Sequence, residues 1–212
     1  MMKNSSVCYI VGASDFKESF DVNANDLVIA ADGGYDLLIK NGVTPNVVIG
    51  DLDSVKNMPT GVEIIRFPIE KDETDMHLAY RFGLERGYRN FAVFGGTGGR
   101  LDHTLANISL LFCAKLEGCE MRLIGSGYEI RAVREESVSL SGRPGSTVSV
   151  FAIGGNAEGV SVRGLKYEAE NITLSESFAL GVSNSFTETG RGSVSVKSGT
   201  LLVMTEFISE NT

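Results

Sequence analysis

Carboxylates recur beside glycine turns between Asp32 and Asn107. The runs are Asp32-Gly33-Gly34, Gly50-Asp51-Leu52-Asp53-Ser54, Lys71-Asp72-Glu73-Thr74-Asp75 and Gly98-Gly99-Arg100-Leu101-Asp102-His103, with Asn107 trailing. Asp51 and Asp53 are two residues apart, so an extended chain would point both carboxylates to one side. Like charges that close repel unless a cation neutralises them. Mg²⁺ suits such a pair, because it binds through a few carboxylates, keeps water, and takes further ligands from phosphates. The competing reading is an Asx-rich turn capping the next segment. Asp72, Thr74 and Asp75 open a helical pattern. Asp72, three residues before Asp75, is the best-placed cap, which leaves Asp75 as a third candidate metal carboxylate. Lys71 would either meet a phosphate or balance the acidic run.

Gly95 to Gly99 is glycine-rich, follows an apolar run and precedes a helical one. Glycines allow close backbone approach, and a helix N-terminus offers N–H groups to an anion. The run matches neither the GxxxxGK[ST] nor the GxGxxG pattern. Arg100 adds a positive fork for phosphate oxygens. Asp102 would hold Arg100, bind a ribose or base, or cap the helix. His103 adjoins this turn and is a candidate nucleotide contact, whereas His77 reads as an ordinary helix residue. Neither histidine has a partner at metal-ligand spacing, which disfavours zinc. A Gly-x-Ser-x-Gly elbow and a Cys/His dyad are both missing from the sequence, which disfavours covalent catalysis. Carboxylates, a glycine turn and an arginine meet the demands of phosphoryl chemistry, which are positioning and charge neutralisation.

These residues need a frame. Apolar runs at Val7–Val11, Leu27–Ala31, Val47–Ile49, Ile64–Phe67, Phe91–Phe94 and Met121–Ile124 read as strands. Between them lie a short helical pattern at Tyr35–Lys40, a face of Met76, Ala79, Tyr80 and Leu84, and a face of Leu101, Leu105, Ile108 and Phe112. Such alternation predicts an α/β fold with a mostly parallel sheet and helices on both faces. Three carboxylate or glycine motifs then fall at strand carboxyl ends, where open parallel sheets bind ligands. After Gly125 the periodicity changes. Val-Ser-Leu near 139 and Val-Ser-Val near 149, 161 and 195 predict half-buried antiparallel strands in a small all-β sandwich or open barrel. The boundary falls at Gly125-Ser126-Gly127, giving an α/β domain over 1–125 and the all-β domain over 128–212.

The 212 residues are 42% apolar and 22% charged, the composition of a soluble globular protein, and no run is long enough to span a membrane. Net charge of −8 disfavours nucleic acid and anionic membranes. Three cysteines without a CxxC pair read as reduced residues of a cytoplasmic protein.

The ordered set DGG, GDLDS, KDETD, GGRLDH and a trailing Asn resembles the thiamine pyrophosphokinase family, and the likeness extends over essentially the whole chain. The resemblance implies an α/β ATP domain followed by a β-sandwich, assembled as a homodimer with thiamine between the α/β domain of one subunit and the β domain of the other. It implies transfer of diphosphate from ATP to thiamine. Asp51, Asp53 and Asp75 would hold Mg²⁺, and Asp32 would line the reaction site. Gly33, Gly34, Thr74, Arg100, Asp102 and His103 would contact ATP. Gly181-Val182-Ser183-Asn184 resembles the family's Ser-Asn thiamine segment, and Gly164-Leu165-Lys166-Tyr167 the loop before it, which makes Tyr167, Ser183 and Asn184 the thiamine residues. Some members place a tryptophan near that serine, but this chain has none. Tyr167, Phe178 or Phe186 would stack instead, or carboxylates would meet the thiazolium charge. Two rivals remain: a diphosphokinase for another hydroxymethyl heterocycle such as a pterin, and a nucleotide sensor without catalysis.

Overall fold

The computed structural model describes residues 6–14, 16–52, 55, 59–67 and 72–207. The chain divides into two compact units, Met1–Ser126 and Gly127–Thr212. The first is α/β and the second β-rich.

In the first unit, strands β1 (Cys8–Val11), β2 (Leu27–Ala31), β3 (Val47–Gly50), β4 (Glu63–Arg66), β5 (Asn90–Phe94) and β6 (Glu120–Gly125) run in the order β4-β3-β2-β1-β5-β6. Every pair is parallel. All residues of β1, β2 and β3 are buried, which explains why they read as continuous apolar runs rather than alternating ones. Edge strand β4 is largely exposed. The order places β1 beside β5, with the chain stepping outward from β1 to β4 on one side and from β5 to β6 on the other. That is a topological switch point, where the loops after the two central strands part and leave a crevice.

Three helices accompany this sheet: α1 (Gly34–Lys40), α2 (Asp75–Glu85) and α3 (Leu101–Leu116). Helix α2 buries Met76, Ala79, Tyr80 and Gly83. Gly83, not Leu84, completes the buried face, because a Cβ there would meet the Cys8 Sγ and the Phe91 ring at 2.8 Å. Helix α3 departs further from expectation. Its buried residues are Asn107, Leu110, Leu111 and Ala114, whereas Leu101 and Leu105 are 73% and 56% exposed. The sequence reading rotated the helix because it kept a polar residue off the buried face. Asn107 is tolerated there because its Nδ2 donates to the Gly96 carbonyl at 2.8 Å.

The connection from β1 to β2 carries no helix among the described residues and is held by aromatic packing. Phe20 stacks at 4.6 Å on both Tyr9 and Phe94, and Phe16 lies 5.3 Å from Phe94. Asp26 closes this strap, accepting from the Val7 N–H at 2.7 Å and the Asn23 N–H at 2.8 Å. Burial works against its charge, but these N–H donors hold its carboxyl below the ordinary value.

The second unit contains β7 (Tyr128–Arg134), β8 (Ser137–Ser141), β9 (Thr147–Arg163), β10 (Ala169–Leu174), β11 (Gly181–Ser185), β12 (Arg191–Ser195) and β13 (Ser198–Glu206). The pairings β13–β7, β13–β9, β12–β9, β12–β8, β10–β9 and β11–β9 are all antiparallel. The expected strands near 149 and 161 are one 17-residue strand. Gly154 and Gly155 lie within β9 at positive φ, 71° and 127°. The first half of β9 pairs with β11 and β13, the second with β10 and β12. One core joins both halves, with Val148, Val150, Val160, Val162, Val194 and Leu201 buried together.

Candidate active site

A cavity of about 370 Å³ opens at the switch point. Gly12–Ser14 enter it from the end of β1, Asp32 from β2, Gly95 and Gly96 from β5, Thr74 and Asp75 from the start of α2, and Arg100, His103 and Asn107 from α3. Close backbone approach makes the crevice. The Gly12 N–H donates to Phe94 O at 2.8 Å and the Ser14 N–H to Gly95 O at 3.1 Å. A Cβ on Gly95 would run into the Gly12 carbonyl, and Gly95 has φ 62°, so only glycine fits both demands. The Gly12-Ala13-Ser14 wall escaped the sequence reading. Its signal was the one used elsewhere, small residues directly after an apolar run.

Asp32 stands at φ 47°, a conformation that an aspartate adopts at some cost. It is fixed from both sides: its N–H donates to Ile49 O at 2.8 Å and its carbonyl accepts from the Tyr35 N–H at 3.2 Å. Its Oδ1 is buried. Gly50 lets it lie close, since a Cβ there would sit 3.1 Å from the Asp32 Cβ. Gly33 and Gly34 follow as N-cap and first residue of α1. A Cβ on Gly34 would overlap the Val11 carbonyl oxygen. These two glycines, with Asp51 and Asp102, are not among the residues that line the cavity.

Thr74, not Asp72, caps α2, its Oγ1 accepting from the His77 N–H at 3.2 Å. An N-cap oxygen must reach the N–H of the second or third helical residue, and the helix starts at Asp75, so Asp72 lies too far upstream. Asp75 is left to line the cavity. Past β3 the chain does not stay extended: Leu52 has φ 67° and is buried. Strand alternation therefore does not continue through Leu52. Asp53 and Lys71 lie outside the described residues. Among the described residues, no group of three His, Cys, Asp or Glu side chains is arranged to hold a metal.

At the start of α3, Arg100 and Asp102 form a two-bond fork, Nε to Oδ1 at 3.1 Å and Nη2 to Oδ2 at 2.6 Å. Asp102 Oδ1 also accepts from the His103 N–H at 2.9 Å. The Arg100 bond holds the Asp102 carboxyl below its ordinary range, and Asp102 in turn raises the Arg100 guanidinium. Of the three roles open to Asp102, the geometry displays the hold on Arg100 together with a bond to one N–H of the first turn of α3. Both side chains are exposed, so Arg100 is oriented along the cavity rim without being neutralised by burial.

The β-rich unit has its own cavity, of about 340 Å³. Val150, Val160, Val162 and Leu174 are its buried walls, while Tyr167, Leu180 and Val182 line it and remain exposed. Asn184 lines it too. Its Oδ1 accepts from the Tyr167 N–H at 2.9 Å and its Nδ2 donates to Tyr167 O at 2.7 Å. Ser183 is not among the lining residues; it sits at φ 61°, with its N–H donating to Ser149 Oγ at 3.1 Å. Of the three aromatics expected to stack, Phe186 is buried and Phe178 lies outside this lining, which leaves Tyr167.

Comparisons with known proteins agree with both halves. Residues 21–123 match the family model "Thiamin pyrophosphokinase, catalytic domain", and residues 128–201 match "Thiamin pyrophosphokinase, vitamin B1 binding domain". The thiamine pyrophosphokinase of Bacillus subtilis is 27% identical over 185 residues, spanning 84% of this chain and 86% of that protein. Thiamin pyrophosphokinase 1 of Caenorhabditis elegans is 27% identical over 173 residues, 75% and 71% of the respective chains. Among solved structures, the Bacillus subtilis enzyme superposes with a TM-score of 0.85 at 24% identity, covering 97% of this chain and 100% of that one. The Candida albicans thiamin pyrophosphokinase gives 0.72 at 15%, covering 94% and 90%. The structural likenesses bear on the fold.

Proposed function

The chain belongs to the thiamine pyrophosphokinase family, and from that premise we propose the following account of its reaction. The protein transfers diphosphate from ATP to the thiamine hydroxyl, giving thiamine diphosphate and AMP. The observation that carries this reading is the cavity at the β1/β5 switch point, where Asp32, Asp75, Arg100 and a glycine loop converge.

ATP lies along that cavity with its phosphates against Gly95, Gly96 and the start of α3. There, helix N–H groups and the Arg100 fork favour negative charge. Thr74, His103 and Asp102 complete the nucleotide contacts, Asp102 acting through Arg100, and Gly33 and Gly34 shape the turn beside them. The thiamine hydroxyl attacks the β-phosphorus in line with the departing AMP oxygen. Asp32, at the end of β2, would accept the hydroxyl proton as the bond forms.

The cavity's donor set is hard carboxylate oxygen, which fits Mg²⁺. Asp75 and Asp51 would hold the ion together with Asp53, and the bound ion would neutralise charge on the transferred phosphates. Tyr167 and Asn184, with Ser183 outside the cavity lining, are the acceptor residues of the β-rich unit. We take that unit (128–212) to be the small β-sandwich that binds thiamine, and residues 1–125 to be the α/β/α catalytic domain. By the same reading the active form is a cytoplasmic homodimer. No helix among the described residues is long and apolar enough to cross a membrane.

The test is AMP release from ATP and Mg²⁺ with and without thiamine, products identified by mass. Thiamine-dependent AMP with thiamine diphosphate is expected. AMP formed only with another hydroxymethyl heterocycle would move the substrate, and ATP binding without AMP would favour a sensor.

A further inference from the structure

We propose that Glu168 selects the acceptor by its positive charge, and that Asn184 positions Glu168 through the backbone of Tyr167. This inference rests on the acceptor being thiamine and assigns a residue that the resemblance does not name.

The cavity of the β-rich unit has walls of valine and leucine, and Glu168 is the charged side chain among the described residues that line it. Thiamine carries a fixed positive charge on its thiazolium ring. A cation entering an apolar pocket gives up water and needs a negative group or an aromatic face in return. Glu168 and Tyr167 supply one of each on adjacent residues.

The geometry keeps that pair in place. Glu168 Oε1 accepts from the Gly164 N–H at 2.6 Å, which fixes the carboxylate across its own turn. A backbone N–H carries no net charge, and a carboxylate has lone pairs to spare, so the negative charge stays available. Glu170, two residues on, differs: it is tied to Arg163 at 2.8 Å. The turn itself is clamped by the paired Asn184–Tyr167 bonds, which use both ends of the Asn184 amide on the chain rather than on a ligand. Asn184 is therefore a positioning residue. Lys166, whose ammonium lies 5.3 Å from the Tyr167 ring centre, already places a cation near that ring.

The experiment measures steady-state AMP release by the full chain with two acceptors. One is thiamine; the other is an uncharged thiophene isostere bearing the same hydroxyethyl group. Glu168→Gln should raise the KM for thiamine about tenfold, leave the KM for ATP within about twofold, and leave the KM for the isostere unchanged. Glu168→Asp, which keeps the charge, should fall between. Asn184→Ala should reproduce the loss of charge preference in weaker form. An unchanged thiamine KM in Glu168→Gln, or an equal loss with both acceptors, overturns the assignment while leaving the proposed reaction intact. No thiamine-dependent AMP from the unaltered chain overturns the reaction and this inference together.

Discussion

The two cavities are nearly equal in volume, about 370 Å³ and 340 Å³, yet they are made in opposite ways. The first is made of backbone: loops leave parallel strand ends, glycines let them touch, and a few charged side chains project inward. The second is made of side chains on antiparallel strands, with polarity confined to the turn beside Tyr167. A loop-built cavity can be altered chemically without disturbing the sheet beneath it. A strand-built cavity shares its walls with the core, so its chemistry is restricted to its edge.

That contrast predicts separable effects. The largest belong to the loop-built site. Asp32→Asn keeps a residue that tolerates positive φ while removing the charge, and Asp75→Ala removes a second carboxylate. Each should lower kcat by about a hundredfold or more while the melting temperature moves little. A parallel fall of activity and melting temperature would break the separation.

Gly34→Ala should do the reverse. Its Cβ would press on the Val11 carbonyl, at a cost of about 3 kcal/mol, read as a lower midpoint in denaturant. Arg100→Lys keeps charge but loses the fork to Asp102. The KM for ATP should rise about tenfold with thiamine KM unchanged. A change in both constants would mean the two regions are not independent.

The smallest effect concerns the strap before β2. The Asp26 carboxyl titrates below its ordinary value of 3.8. Its contribution is complete above that pH and is lost as pH falls through the lower folded value. Asp26→Asn should therefore flatten the loss of stability below about pH 4 seen in acid denaturation; an identical acid limb would remove Asp26 from the account.

The same contrast explains what could be read in advance. The strand runs of the first unit, Asp32, Asp75, Arg100 and the glycine loop stood out because loop chemistry is written in contiguous motifs. Gly12–Ser14 obeyed the same rule and needed only its consistent application. The face of α3 was misread because Asn107 is satisfied by Gly96, a partner far from its own turn. Leu52 hid its left-handed conformation, since nothing about a leucine signals it. In the β-rich unit, cavity walls and core walls share one alternating pattern, so the sequence marks Tyr167 and Asn184 but not the space between them.

Strand β9 bears on folding rather than catalysis. Being the middle strand of both groups of pairings, it cannot detach from one without exposing the core of the other. The β-rich unit should therefore open as a single foldon. Slowly exchanging amides on β9, β12 and β13 would then report one common opening free energy in native-state hydrogen exchange, and chain cleavage at Gly154-Gly155 would abolish that protection on both sides at once.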